Sequence, residues 1–361
     1  DRADAENGRT ELGADSARTG VRMCRLRHGG RAAELRCGGR RMKRVAITGA
    51  SGFVGSNLAR RLICSGHEVH LLVRPGYHPW RIEEIRRDVQ IHELELLNQD
   101  SLDKVIMQIR PDWVFHLAAH GAYSWQTDIM QIFQTNLLGT IRLVEACLKT
   151  GFASFINIGS SSEYGFKDHA PSETEWLEPN SHYAVAKASA TLYCRHTAQS
   201  QKQNITTLRL YSVYGPYEDA NRLMPTLIRH GLRGEWPPLV NPDTARDYIY
   251  VEDVCAACIL AAQAAPRKFG SVYNVGSGVQ TRLREVVAVA RECFQIRREP
   301  VWGNMAPRKW DTASWVSDPR LIREELGWMP QYSFPEAFAH TVKWFLQNGQ
   351  AMNDPDCPQR H

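Results

Sequence analysis

Val45-Ala-Ile-Thr-Gly49-Ala-Ser-Gly52-Phe-Val-Gly55 is an apolar strand that runs into three glycines spaced by two residues. Val54, Leu58 and Leu62 then recur every four residues, which is the apolar face of a helix, and Ser65-Gly66 ends it. Strand, glycine turn and helix together open a βαβ unit. Glycines let the backbone turn tightly and approach a phosphate, while unpaired N–H groups and the dipole at the helix start favour negative charge. The stretch therefore predicts a dinucleotide pyrophosphate site at the head of a parallel sheet.

Outward from that unit, short β-rich runs alternate with helical patterns as far as Gly159. The strands expected are Arg44–Thr48, Glu68–Val73, Val89–Glu93, Trp113–Ala118 and Ser154–Gly159, with another at Ile205–Tyr211. Gly215–Arg246 is rich in Pro, Gly and Asp and reads as loops of the kind that hold substrate. Helical patterns return at Glu285–Phe294 and Phe334–Leu346. The fold class expected is α/β, a doubly wound parallel sheet with a smaller mixed α/β C-terminal substrate lobe. Residues 42–211 form mainly the dinucleotide-binding domain and 212–347 mainly the lobe, with some segments returning to the sheet. A leader at 1–41 and a tail at 348–361 are expected to be disordered or frayed.

The 361 residues are 43% hydrophobic and 23% charged, within the range of soluble globular chains. Of the formal charge of +5, the leader accounts for +4, so the body is near neutral and implies no nucleic-acid partner. No apolar run approaches the roughly 20 residues of a membrane-spanning helix. The nine cysteines are irregularly spaced and point to a reducing, cytoplasmic setting. Cys255-Ala-Ala-Cys258 lies in an apolar helical run without a second ligand pair, so it reads as buried packing and no metal site is expected.

Dinucleotide sites that prefer NAD place an acid at the end of the second strand to bind the adenosine ribose. Val69–Gly76 contains no acid, and Arg74 follows Val73 instead. A guanidinium there suits a 2′-phosphate, which favours NADP with NAD as the alternative. Further on, Tyr183 and Lys187 share one face of a helix that Asn180 or Ser181 would cap. An ammonium near a phenol favours phenolate, so the pair suits proton exchange with a hydroxyl or carbonyl. Upstream, Ile156-Asn-Ile-Gly159-Ser160-Ser161-Ser162-Glu163-Tyr164-Gly165 ends a strand in hydroxyls at the edge where such sheets bind ligands.

From about Lys43 to Trp344 these features resemble the extended short-chain dehydrogenase/reductases, which include nucleotide-sugar epimerases, dehydratases and 4-keto-sugar reductases. The resemblance also rests on Val114-Phe-His-Leu-Ala-Ala119, Asn136 with Leu-Leu-Gly139, Arg209-Leu-Tyr-Ser-Val-Tyr214-Gly-Pro216, Arg246-Asp-Tyr-Ile-Tyr-Val-Glu-Asp253 and Tyr273-Asn-Val-Gly-Ser-Gly278. It implies a Rossmann-type domain holding NAD(P), a lobe holding a nucleotide-diphosphate sugar, and a homodimer built on the helix bearing Tyr183 and its neighbour. Tyr183 would transfer the proton, Lys187 would bind the nicotinamide ribose, and Ser160 would fill the family's Ser/Thr position. Gly49, Ser51, Gly52, Phe53, Val54 and Gly55 would line the cofactor. Further cofactor contacts would come from Arg74, Glu95, Leu96, Ala118, Ala119, Asn136, Tyr183 and Lys187. Arg246 would meet the substrate diphosphate or else pair with Asp247, and Ser161, Ser162 and Ser212 would face the sugar.

Two departures narrow the expected reaction. Family 4,6-dehydratases carry acids where this chain has Ser161 and Ser162, and Glu163 comes one residue later. Ser212 stands where many members have a substrate-binding Asn. The leading expectation is NADPH-dependent reduction of a nucleotide-linked 4-keto-6-deoxyhexose at C4, as in deoxysugar biosynthesis. The alternatives are a 4-epimerase with tightly held NAD and a non-catalytic cofactor sensor on the same fold.

Overall fold

The computed structural model describes residues 42–123, 125–306 and 312–348; the leader expected at 1–41 and the tail after Asn348 lie outside the described residues. Strand β1 (Arg44–Thr48) passes through the glycine turn into α1 (Phe53–Cys64), and β2 (Glu68–Val73) returns parallel to β1. The alternation continues through β3 (Gln90–Glu93), α2 (Gln99–Ile109), β4 (Trp113–His116), α3 (Ile129–Phe133), α4 (Gly139–Thr150), β5 (Ser154–Ser160), α5 (His182–Gln201) and β6 (Ile205–Leu210). Past it come β7 (Ser212–Tyr214), α6 (Leu223–Gly231), β8 (Ala245–Arg246), β9 (Tyr248–Tyr250), α7 (Val251–Gln263), β10 (Val272–Val275) and β11 (Thr281–Arg282). The helices α8 (Leu283–Phe294), α9 (Arg320–Leu326) and α10 (Phe334–Asn348) complete the described chain.

Seven strands form one parallel sheet in the order β3-β2-β1-β4-β5-β6-β10. Strand order reverses between β1 and β4, which opens a crevice at their carboxyl ends, the place where such sheets bind ligands. Both faces are covered, which is why the central strands read as continuous apolar runs. Val45 and Ile47 of β1 pack with Leu58 and Leu62 of α1, whereas Ala46 packs on the opposite face with Ile106 of α2, Leu143 of α4 and Phe155. Cys255 and Cys258 lie buried on α7 in the first of these clusters, as apolar packing requires. No described helix is long and apolar enough to cross a membrane.

The main sheet follows the sequence expectation closely, with informative differences at strand ends. The fourth strand stops at His116 rather than Ala118, because Thr48 draws the chain across: its carbonyl accepts from Leu117 N at 3.2 Å and its hydroxyl from Ala118 N at 3.3 Å. β10, four residues long, returns from the C-terminal part to pair with β6. The remaining C-terminal segments build small pairs, β7 with β9 parallel and β8 with β11 antiparallel.

Candidate active site

The glycine turn is shaped by contacts that no side chain would survive. Gly49 has a left-handed φ of 67°, and a Cβ there would lie 2.6 Å from Ala118 N and from Leu117 C. A Cβ on Gly55 would lie 2.3 Å from the Gly49 carbonyl oxygen. Gly52 caps α1 without a side-chain bond and no acid stands in the first turn, so the N–H groups and dipole of a twelve-residue helix face the crevice. Ser51, Phe53 and Val54 are half-buried along the same turn. This cradle fits a dinucleotide pyrophosphate.

Behind it runs a buried chain of hydrogen bonds that the sequence did not disclose. Thr140 Oγ1 donates to Asn136 O at 2.7 Å, so it accepts from His116 Nε2 at 2.8 Å. Thr48 Oγ1, which accepts from Ala118 N, then donates to His116 Nδ1 at 2.7 Å. The tautomer follows from this network. Burial and then the Lys187 charge push His116 down to about 3, so the ring stays neutral. Asn136, expected to touch cofactor, is bonded within the chain: its side chain donates to His120 O and Ile132 O and accepts from His120 N. Asn136 holds the loop after β4 in place.

Ser160 ends β5, and its hydroxyl accepts from Ser162 N at 3.2 Å and donates to Ser162 Oγ at 3.1 Å. Glu163 returns the bond, accepting from Ser160 N at 2.9 Å, which completes a capping box. The Glu163 side chain is wholly buried, takes Thr191 Oγ1 at 3.1 Å and forms an ion pair with Arg209 Nε at 2.8 Å. Arg209 in turn donates to Tyr164 OH, which donates to Asn274 Oδ1 at 2.7 Å. Glu163 therefore fixes the serine turn, its carboxylate committed to Ser160 N, Thr191 and Arg209.

Ser181 caps α5, its Oγ accepting from Ala184 N at 3.2 Å, and the helix brings Tyr183 to Ser160. Burial pushes the phenol up to about 12, while the Ser160 hydrogen bond and the Arg222 charge pull it the other way. Lys187 is buried, donates to Ile158 O at 2.9 Å, and is pushed down by burial to about 8. The sequence expectation made the Lys187 ammonium the group that favours phenolate. The groups that favour phenolate here are Ser160 and Arg222, and the Lys187 ammonium donates to the β5 carbonyl of Ile158.

Other expected contacts divide. Arg74 is exposed at the end of β2; His120 is lowered chiefly by burial and further by the Arg74 charge. Glu95 is exposed and Leu96 half-buried against the second core cluster. Arg246 does not fill the Asp247 carboxylate, whose oxygens accept from the backbone and side chain of Ser277, from Gly278 N, and from both groups of Ser317. Arg246 instead donates to Ala245 O and lies 5.5 Å over the Trp315 ring. Ser161 is buried, and Ser212 N is bonded to Asp247 O at 2.9 Å.

Two loops act on Tyr183: the one after β7, within the stretch expected to hold substrate, and the one after β4, which sequence reasoning did not place at the site. Arg222, after β7, lies 5.0 Å over the ring of Tyr123, from the loop after β4, and both act on Tyr183. Glu218 lies between Tyr217, held at φ 67°, and this arginine, with Oε2 buried and unpartnered. Burial pushes its carboxyl from 4.5 to about 8, opposed by Arg222 and by a Gly215 backbone bond. The folded protein thus keeps a proton that the unfolded chain loses; this stability is complete below pH 4.5 and is lost as pH rises through about 8. Glu218→Gln should stabilise the fold by roughly 2–4 kcal/mol near pH 9 and by little near pH 4. Urea unfolding at both values checks it, and an equal change at the two would contradict the burial of an uncompensated carboxyl.

Enzymes of the extended short-chain dehydrogenase/reductase class join a dinucleotide cradle to a serine and a tyrosine in this way, and the protein is one of them. It belongs to the NAD dependent epimerase/dehydratase family, which it matches over residues 45–276. It is 29% identical over 318 residues to the UDP-glucose 4-epimerase of Mycolicibacterium smegmatis, covering 85% of this chain and 100% of that protein. With the dTDP-glucose 4,6-dehydratase of Neisseria meningitidis serogroup B it shares 26% over 336 residues, 85% of this chain and 94% of that one. The UDP-glucose 4-epimerase of Thermus thermophilus, solved with NAD, has a TM-score of 0.74 at 28% identity, covering 84% of this chain and 98% of that one.

Proposed function

We propose that the protein interconverts a hydroxyl and a carbonyl at C4 of a nucleotide-linked hexose and works as a 4-epimerase. The observation that carries the reading is the meeting of Tyr183 with Ser160 at the carboxyl end of β5, two strands from the glycine cradle. The glycine cradle would hold the pyrophosphate of a nicotinamide dinucleotide, which would supply the hydride acceptor and donor. Tyr183 takes the proton from the C4 hydroxyl as the carbonyl forms and returns it when the carbonyl is reduced. Ser160 and Tyr183 together stabilise charge on the C4 oxygen. To take that first proton Tyr183 must give up its own to solvent; burial pushes the phenol up to about 12, and the Ser160 bond and the Arg222 charge ease the passage to phenolate.

Water elimination across C5–C6 needs a second acid/base at the serine turn. Ser161 and Ser162 stand there, and Glu163 is committed to Arg209, which argues against the dehydratase reaction. Reduction of a 4-keto-6-deoxyhexose with NADPH, the leading expectation from the sequence, becomes the second reading. Arg74, in the place of the ribose-binding acid, supports it. The epimerase takes precedence because relatives that align over nearly their whole length carry that name and one of them was solved with NAD. Replacing Tyr183 with Phe is the experiment that tests the shared chemistry.

A further inference from the structure

We propose that Tyr211 recognises the sugar, its phenol donating a hydrogen bond to an oxygen of the hexose. The inference rests on the nucleotide-sugar reading. A cleft leads away from the serine turn and is walled by Ser161, Tyr164, Lys167, His169, Tyr211 and Trp315. Ser161 of the serine turn and Trp315, over whose ring the Arg246 guanidinium lies at 5.5 Å, share this wall, so the cleft adjoins both the serine turn and Arg246.

Most polar groups of the wall are already paired. Lys167 is paired with Glu178, and His169 is held between Asp168 at 2.8 Å and Glu175 at 2.9 Å. Tyr164 OH is bonded to Arg209 and Asn274. Tyr211 differs: it is 7% exposed, and its buried hydroxyl has no hydrogen-bond partner. It stands at the carboxyl end of β6, anchored by its backbone N–H to Val275 O at 3.0 Å, at the edge where parallel sheets hold ligands. Burial raises the phenol well above its ordinary value, so it remains a donor. A buried hydroxyl left unsatisfied weakens the fold; a sugar oxygen in the cleft would satisfy it.

Tyr211→Phe removes one oxygen and no packing. Calorimetric titration with UDP-glucose, dTDP-glucose and CDP-glucose identifies the tightest of the three, which is then compared with its own nucleoside diphosphate. The variant should bind that nucleotide sugar about 10- to 100-fold more weakly, with the diphosphate alone within about twofold of wild type. Its melting temperature without ligand should equal or exceed that of wild type. Unchanged nucleotide-sugar affinity, or equal losses for the sugar and the diphosphate, overturns the assignment of Tyr211 alone. Wild type that binds none of the three overturns the nucleotide-sugar reading, and this proposal with it.

Discussion

Tyr183→Phe should lower turnover of a nucleotide-linked hexose by about 10²- to 10⁴-fold, the range of a positioned acid or base. The substitution keeps the ring, which α5 holds half-buried, and removes only the hydroxyl that meets Ser160. Dinucleotide affinity should stay within about twofold, because the glycine cradle and the Thr48–His116–Thr140 chain do not involve the phenol. Initial rates and cofactor titration on the same preparation separate the two effects. A variant with wild-type turnover would remove Tyr183 from the chemistry.

Glu163→Ala should destabilise the protein by about 3–5 kcal/mol, as removal of one partner of a buried ion pair does. Arg209, 3% exposed, would lose its carboxylate, and Ser160 N and Thr191 Oγ1 would lose their acceptor. Turnover should also fall, since Glu163 fixes the turn that carries Ser160. Urea denaturation gives the first quantity. A loss below about 1 kcal/mol, the worth of an exposed pair, would contradict the structural role assigned to this glutamate.

The parts of the fold written in short-range pattern were legible in the sequence. β1, β2 and α1 are set by alternation, period and glycine spacing, and Tyr183 and Lys187 by a spacing of four on a capped helix. Partnerships across the chain were not. Ser160-Ser-Ser-Glu163 carries the capping-box pattern, but its tie to Arg209, 46 residues away, depends on β5 and β6 being neighbours. The bond of Asn136 to the backbone of His120 depends on a π-helical turn at Gln134–Leu138 that no short-range pattern announces. Tyr211 and Glu218 became visible only as buried groups without partners, a property of packing that no local pattern encodes.

The most direct test of the account is the nicotinamide nucleotide carried by the purified protein after extensive dialysis and released by denaturation. An epimerase regenerates its cofactor in every cycle and gains from keeping it, so the account predicts near-stoichiometric NAD. A protein that emerges empty and rebinds NADPH in preference to NADH would contradict the epimerase reading and give Arg74 and the 4-keto reductase the stronger claim.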